Sequence, residues 1–204
     1  MLFPHNIGLG AARDADLVER IGQATARAVR ATNVDWSFAP VVAVARDERW
    51  GRTYEAFGEH QELAELLGPA AIRGLQGERL GSTPDSVLAC AKHYVGDGNT
   101  LGGKDRGTAA LSMEQIRAML LPAYQKSIEA GVGSIMVSFS SVEDVKMHCH
   151  GPLLNDVLKT ELGFSGRRAD DSRIAARLRC PVERNRTGTS SSASSPRARK
   201  SSRP

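Results

Sequence analysis

The chain has 204 residues, 41% hydrophobic and 25% charged, a length and balance that fit one ordinary domain and exclude wholesale disorder. Aromatic residues make up only 5%, so packing must rely on Ala, Val, Leu and Ile. The net charge of +4 averages two unlike parts: residues 167–204 carry eleven basic against three acidic residues, +8, and residues 1–166 carry 16 against 20, −4. A nucleic-acid reading drawn from overall charge is thereby excluded for the body.

Periodicity predicts a first helix over Ala15 to Thr32, with Leu17, Ile21, Ala24, Ala28 and Val29 on one face and Asp14 or Asp16 able to cap its start. A short apolar strand region from Trp36 to Val44 follows and ends in the charged loop Arg46 to Glu55. Residues 59–75 read as a second amphipathic helix. Val87 to Val95 reads as a buried strand, with the loop signal Gly96-Asp97-Gly98-Asn99 behind it. A third helix is expected from Ser112 to Ala130, where Ser112 and Gln115 stand in capping-box positions. Another strand over Gly133 to Phe139 leads into a polar loop and a helix near Pro152–Leu162. Strands alternating with helices of this length indicate an α/β fold built of βαβ units around a parallel sheet.

Residues 167–204 differ in kind. They hold eight Ser and eleven basic residues, and the run Ser190 to Pro196 offers nothing to a core. This Arg/Ser-rich tail is expected to be disordered. No stretch approaches 18 apolar residues, so no transmembrane helix is expected. Met1-Leu2-Phe3-Pro4-His5 has neither the basic nor the apolar region of a signal peptide, so the chain as written reads as cytoplasmic. Cys90, Cys149 and Cys180 lack a CxxC spacing and give no disulfide framework. Cys90, inside an apolar run, reads as a small buried hydrophobe.

The polar residues are placed unevenly. Arg46–Glu55, Lys92–Asp97 and Ser138–His148 each lie at or just beyond the C-terminal end of a strand. In a (β/α) barrel that rim is where active sites are assembled.

Five segments then show a resemblance: Phe3-Pro4-His5-Asn6-Ile7-Gly8-Leu9-Gly10, Phe38-Ala39-Pro40, Arg49-Trp50-Gly51-Arg52-Thr53-Tyr54-Glu55, Lys92-His93-Tyr94-Val95-Gly96-Asp97-Gly98 and Val145-Lys146-Met147-His148. In this order they resemble glycoside hydrolase family 3, the beta-glucosidases and related exo-glucosidases. The resemblance implies a partial (β/α)8 TIM-type barrel over residues 1–166. It also implies retaining hydrolysis of terminal β-linked glucose, with a β-glucoside or β-linked oligosaccharide as ligand and no cofactor. Retention needs two carboxyl groups about 5–5.5 Å apart.

By the same resemblance, Arg52 matches a sugar-binding arginine, whose fixed fork of donors suits two hydroxyl oxygens at once. Its competing role is a surface ion pair with Glu55. Lys92 and His93 match a sugar-binding pair that supplies three donors and a switchable donor or acceptor. Asp97 and Asp105 follow in the family's loop, Asp97 orienting either Lys92 or its own turn. His5 and Asn6 read as structural, and Lys146-Met147-His148 as a loop that supports the site. His148, Cys149 and His150 are successive and lack the spacing of a metal site. The glycine-rich run from Gly96 to Gly103 matches no phosphate-binding motif.

The chain departs from the family pattern in several places. The family has more barrel sequence before Phe3, including a sugar-binding aspartate. Phe139 stands where the family has tyrosine, and Val142-Glu143 where it has Trp-Asn. After Gly166 the family continues with an apolar strand ending in Ser-Asp-Trp, whose aspartate is the nucleophile. Here Arg167-Arg168-Ala169-Asp170-Asp171 follows, so the nucleophile's place falls by count on Asp171 while its strand is expected to be lost. The expectation is a truncated family member, inactive as an isolated chain, whose tail is a shifted reading frame. The alternatives are a non-catalytic sugar-binding remnant and a polybasic tail that binds nucleic acid or an anionic surface.

Overall fold

The computed structural model describes residues 2–169. Three helices precede the first regular strand: α1 (Asn6–Ala12), α2 (Ala15–Arg30) and α3 (Gln61–Gln76). α2 starts as expected, with the Asp14 carboxylate accepting the Leu17 amide at 2.9 Å, and it ends with Arg27 and Arg30 in the last turn, where cations offset the helix dipole. α1 was not foreseen, because Gly8 and Gly10 mask its short apolar pattern. Gly10 is required there: a Cβ would lie 1.6 Å from the Phe57 carbonyl oxygen.

α2 and α3 meet through glycines. A Cβ on Gly74 would lie 2.4 Å from the Glu19 carbonyl, and one on Gly22 2.9 Å from the Gly74 Cα. The Arg73–Glu19 ion pair at 3.0 Å closes the same interface.

The main sheet holds β1 (Cys90–Tyr94), β3 (Ser134–Val137) and β6 (Arg167–Ala169), all parallel in the order β1-β3-β6. The expected strand over 36–44 lies beside β1 as a broken parallel ladder. Leu88 N donates to Asp35 O at 2.8 Å, Cys90 N to Ala39 O at 2.8 Å and Val42 N to Lys92 O at 2.9 Å. Pro40, which has no amide proton, sits within it, so only isolated bridges remain where periodicity predicts a full strand. Four parallel segments thus follow one another in chain order. The crossovers are α3, the run α4 (Met113–Gln115) to α5 (Leu121–Glu129) through a π-helical Ile116–Leu120, and the π-helix Pro152–Glu161. The Ser112–Gln115 capping box is present as predicted.

Two expectations are corrected. The strand after Gly166 is not lost: Arg167 pairs with Ser134, Arg168 with Ile135 and Ala169 with Met136. Ladder bonds use only the backbone, and the Arg167 side chain is exposed, so its charge stays in water while its backbone pairs. Cys90 is a buried thiol as expected, whereas Cys149 is disulfide-bonded. The tail expected to be disordered, apart from β6, lies outside the described residues.

A second, smaller sheet forms from the loops: β2 (Thr108–Ala109), β4 (Ser141–Val142) and β5 (Val145–Lys146), the last two joined by a two-residue turn at Glu143–Asp144. It puts Lys146 where Nζ donates to the carbonyls of Arg106 at 2.9 Å and Phe139 at 3.1 Å, tying two strand-end loops together.

Gln76, at the end of α3 and 1% exposed, clamps the sheet. Its Oε1 accepts the amides of Ala89 at 3.1 Å and Gly133 at 3.0 Å, and its Nε2 donates to Gly131 O at 2.9 Å. One side chain thus satisfies backbone groups at the entrances of both β1 and β3. Gln76→Leu strands those groups and is expected to destabilise the fold by about 2–4 kcal/mol in urea denaturation. A loss under about 0.5 kcal/mol, the size of an ordinary surface change, would show that the clamp contributes little.

Candidate functional site

The polar residues at the strand ends meet. Arg52 begins the short turn Thr53–Glu55, which Asn6 anchors from α1 by donating Nδ2 to Glu55 O at 2.8 Å. Arg52 grips Glu55 with both arms of its fork, Nε to Oε1 at 2.8 Å and Nη2 to Oε2 at 2.9 Å. The same Nη2 reaches His93 Nε2 at 3.2 Å. Lys92 Nζ stands 4.0 Å from Glu55 Oε2 and makes no hydrogen bond among the described residues. The competing surface-pair role of Arg52 is therefore half right: the pair with Glu55 exists, but it borders the Lys92-His93 pair.

Lys92 and His93 are adjacent on β1, at a register shift in its pairing with β3. His93 Nδ1 lies 2.9 Å from Asp97 Oδ2, in contact but off the line of an aligned hydrogen bond. Asp97 thus faces His93 rather than Lys92. Its Oδ1 accepts from Ser138 Oγ at 2.5 Å and Ser140 Oγ at 2.6 Å. Its loop is stitched to the neighbouring segment, with Arg46 N donating to Gly98 O and Asn99 Nδ2 to Val44 O, each at 2.9 Å. Gly98 has φ +78°, and a Cβ there would lie 2.9 Å from Ala45 Cα.

Asp105 stands at the rim, half exposed. Its Oδ1 lies 3.5 Å from the indole Nε1 of buried Trp50, and its Oδ2 3.4 Å from Arg106 Nε. Asp171 lies outside the described residues. No group of three or more His, Cys, Asp or Glu among the described residues is placed to hold a metal ion. A groove of about 720 Å³ between α1 and residues 45–63 runs alongside through Thr53, and none of the candidate residues lines it.

The electrostatics follow from burial and pairing. Burial pushes the Asp97 carboxyl up, but His93 and the two serine hydroxyls outweigh it and leave the group below its usual range. Glu55 is held low chiefly by its bonds to Arg52. Burial lowers the Lys92 ammonium, with Glu55 opposing. Two cations and two carboxylates therefore share one small region with an imidazole between them. Such a set presents directed donors and acceptors with little net charge, which suits a neutral, hydroxyl-rich ligand.

Residue patterns did not reveal the roles of Ser138 and Ser140. The available signal was their position just past β3, where polar residues crowd the strand end.

The first 187 residues match the model of the glycosyl hydrolase family 3 N-terminal domain. The chain belongs to glycosyl hydrolase family 3. It is 36% identical to the lysosomal beta glucosidase of Dictyostelium discoideum over 81% of this chain and 21% of that one. The periplasmic beta-glucosidase of Salmonella typhimurium is 33% identical, again over 81% and 21%. Among solved structures, an exo-1,3/1,4-beta-glucanase from a Pseudoalteromonas species superposes with a TM-score of 0.79 at 48% identity, covering 82% of this chain and 21% of that one. The chain spans about a fifth of the length of the curated relatives it matches. Those two names place their enzymes in a lysosome and a periplasm, so the cytoplasmic expectation gains no support; no helix among the described residues is long and apolar enough to cross a membrane.

The depressed Asp97 carboxyl fixes a sign. A group whose folded value is lowered adds stability above its unfolded value, and that stability is lost as pH falls through the folded one. The difference between the native chain and Asp97→Asn should be full at pH 7 and should shrink below about pH 4, the ordinary aspartate value. Urea titrations from pH 7 to pH 3 check this; a difference constant across that range means that the Asp97 charge does not stabilise the fold.

Proposed function

We propose that the described residues form part of the glucose-binding site of a retaining β-glucosidase barrel, with Arg52, Lys92 and His93 as the hydroxyl-binding groups and Asp97 and Asp105 supporting them. The observation that carries this reading is the 3.2 Å approach of Arg52 to His93, which joins two strand-end motifs in one place. Four consecutive parallel segments with their polar residues at the C-terminal ends support the barrel. Solved structures of a Listeria innocua beta-glucosidase contain glucose or isofagomine, and that enzyme superposes with TM-scores of 0.79 and 0.81 at 31% identity. A glucoside is the corresponding ligand here.

Hydrolysis with retention needs a nucleophile and an acid/base carboxyl on opposite sides of the glycosidic bond. The nucleophile's place falls by count on Asp171, which lies outside the described residues. In this reading the isolated chain binds sugar without turning it over. The second reading is a non-catalytic sugar-binding remnant, which shares this expected binding and is separated by titration from an inert fragment. The polybasic-tail alternative rests on residues outside those described.

Isothermal titration with millimolar glucose should give a saturable heat, weakened at least tenfold in Arg52→Ala, about the value of a charge-assisted hydrogen bond. No heat with the native chain removes both sugar readings. With an aryl β-glucoside, no turnover above background is expected; turnover abolished by Asp171→Ala would instead make the chain an enzyme with that nucleophile.

A further inference from the structure

Behind the Arg52–His93 contact lies a buried layer in which two serines, given no part so far in sugar binding, meet Asp97. Asp97, Ser138 and Ser140 are 7%, 0% and 0% exposed. Both serine hydroxyls donate to the same carboxylate oxygen, Oδ1, at 2.5 and 2.6 Å. The Ser140 amide donates to Ser138 Oγ at 2.8 Å, fixing the first hydroxyl's oxygen. Each hydroxyl has one proton, and both are spent on Oδ1. Oδ2 is left 2.9 Å from His93 Nδ1, an electrostatic contact off the line of an aligned hydrogen bond.

The other ring nitrogen meets a group of opposite character. Nε2 lies 3.2 Å from Arg52 Nη2, and a guanidinium only donates and does not lose its proton. A proton on Nε2 would point at an N–H of Arg52, and it would leave a bare Nδ1 lone pair against a carboxylate oxygen. With the proton on Nδ1 both contacts become attractive. The tautomer is thus set from both sides of the ring.

We propose that Ser138 and Ser140 are positioning residues: by fixing Asp97 they hold His93 as the neutral Nδ1–H tautomer, with the Nε2 lone pair facing Arg52 and the incoming sugar. The ligand in this statement rests on the glucose-site reading above; the tautomer does not. Arg52 and Lys92 can only donate, so they satisfy the oxygen of a sugar hydroxyl but not its proton. His93 Nε2 supplies the missing acceptor. A hydroxyl entering between Arg52 and His93 accepts from Nη2 and donates to Nε2, replacing one long contact by two directed hydrogen bonds.

The test uses the full chain with 15N-labelled histidine. Two-bond 1H–15N spectra report which ring nitrogen carries the proton, and the His93 signals are assigned by their loss in His93→Gln. The native chain should show Nδ1–H. The Ser138→Ala, Ser140→Ala double variant should lose that signature and bind glucose about tenfold more weakly, the effect of losing a hydrogen bond to a charged group. Ser138→Thr with Ser140 intact keeps both hydroxyls and should restore both readouts. If the double variant does not fold, Ser140→Ala alone is read in the same spectrum. Nε2–H in the native chain, or an unchanged tautomer in a folded serine variant, overturns the proposal. A native chain that shows Nδ1–H but takes up no glucose overturns the glucose-site reading while upholding the serine-held tautomer.

Discussion

Arg52 and His93 are 41 residues apart, yet their nitrogens approach to 3.2 Å, and that approach requires several independent features of the chain. Residues 35–42 must run parallel to β1, so that the loop carrying Arg52 leaves the sheet at the same end as His93. Asn6 must hold the Glu55 carbonyl, so that the turn after Arg52 stays near the sheet. The Gly96–Asn99 loop must fold back onto Val44 and Ala45, which Gly98 permits by lacking a side chain where a Cβ would strike backbone. None of these features is chemical in itself. Together they level the strand ends and convert three separate polar loops into one cluster.

Gathering charges near a sheet end costs desolvation, and the arrangement offsets that cost by pairing. Arg52 is matched to Glu55, and His93 to Asp97. The remaining oxygen of Asp97 is filled by two hydroxyls, since a buried carboxylate with unfilled acceptors would cost several kcal/mol (about the effective penalty per ion). Lys92 is the exception. Its side chain is 14% exposed, and its nearest carboxylate oxygen stands 4.0 Å away, beyond hydrogen-bond reach. Among the described residues this donor has no hydrogen-bond partner, which agrees with the proposed sugar site, since polar groups buried without one are costly.

The sequence made the repeating skeleton legible and hid what fastens it. The helices α2 and α3 follow from apolar spacing and Asp14, and the third begins at a capping box that is visible as Ser112 and Gln115. Pro40 breaks a ladder that apolar content alone would have completed, and β6 forms where arginines argued against it, because its ladder with β3 is made by backbone groups. Gln76, Ser138 and Ser140 escaped because a lone amide or hydroxyl carries no periodicity; only three-dimensional pairing gives it a role. The partner of Asp97 was misjudged for a related reason. Spacing alone made Lys92 and its own turn the available choices, whereas the loop after β1 returns the carboxylate to His93.

The charge pattern also bears on which ligands fit. A site with an arginine and a lysine at a strand end would ordinarily suit a phosphate, which takes bidentate donors well. Here both arms of Arg52 already hold Glu55, while Asp97 and Asp105 add to the field around it. An anion entering this region would meet the repulsion of those carboxylates and would have to break the Arg52–Glu55 pair. A hydroxyl carries no net charge and has both a lone pair to accept and a proton to give. It can join the existing network as one more link, taking a hydrogen bond from a cation and passing one to an acceptor, with every ion pair left intact. The balance of charge within the cluster, more than the presence of any one residue, therefore suits the neutral, hydroxyl-rich ligand proposed above better than an acid.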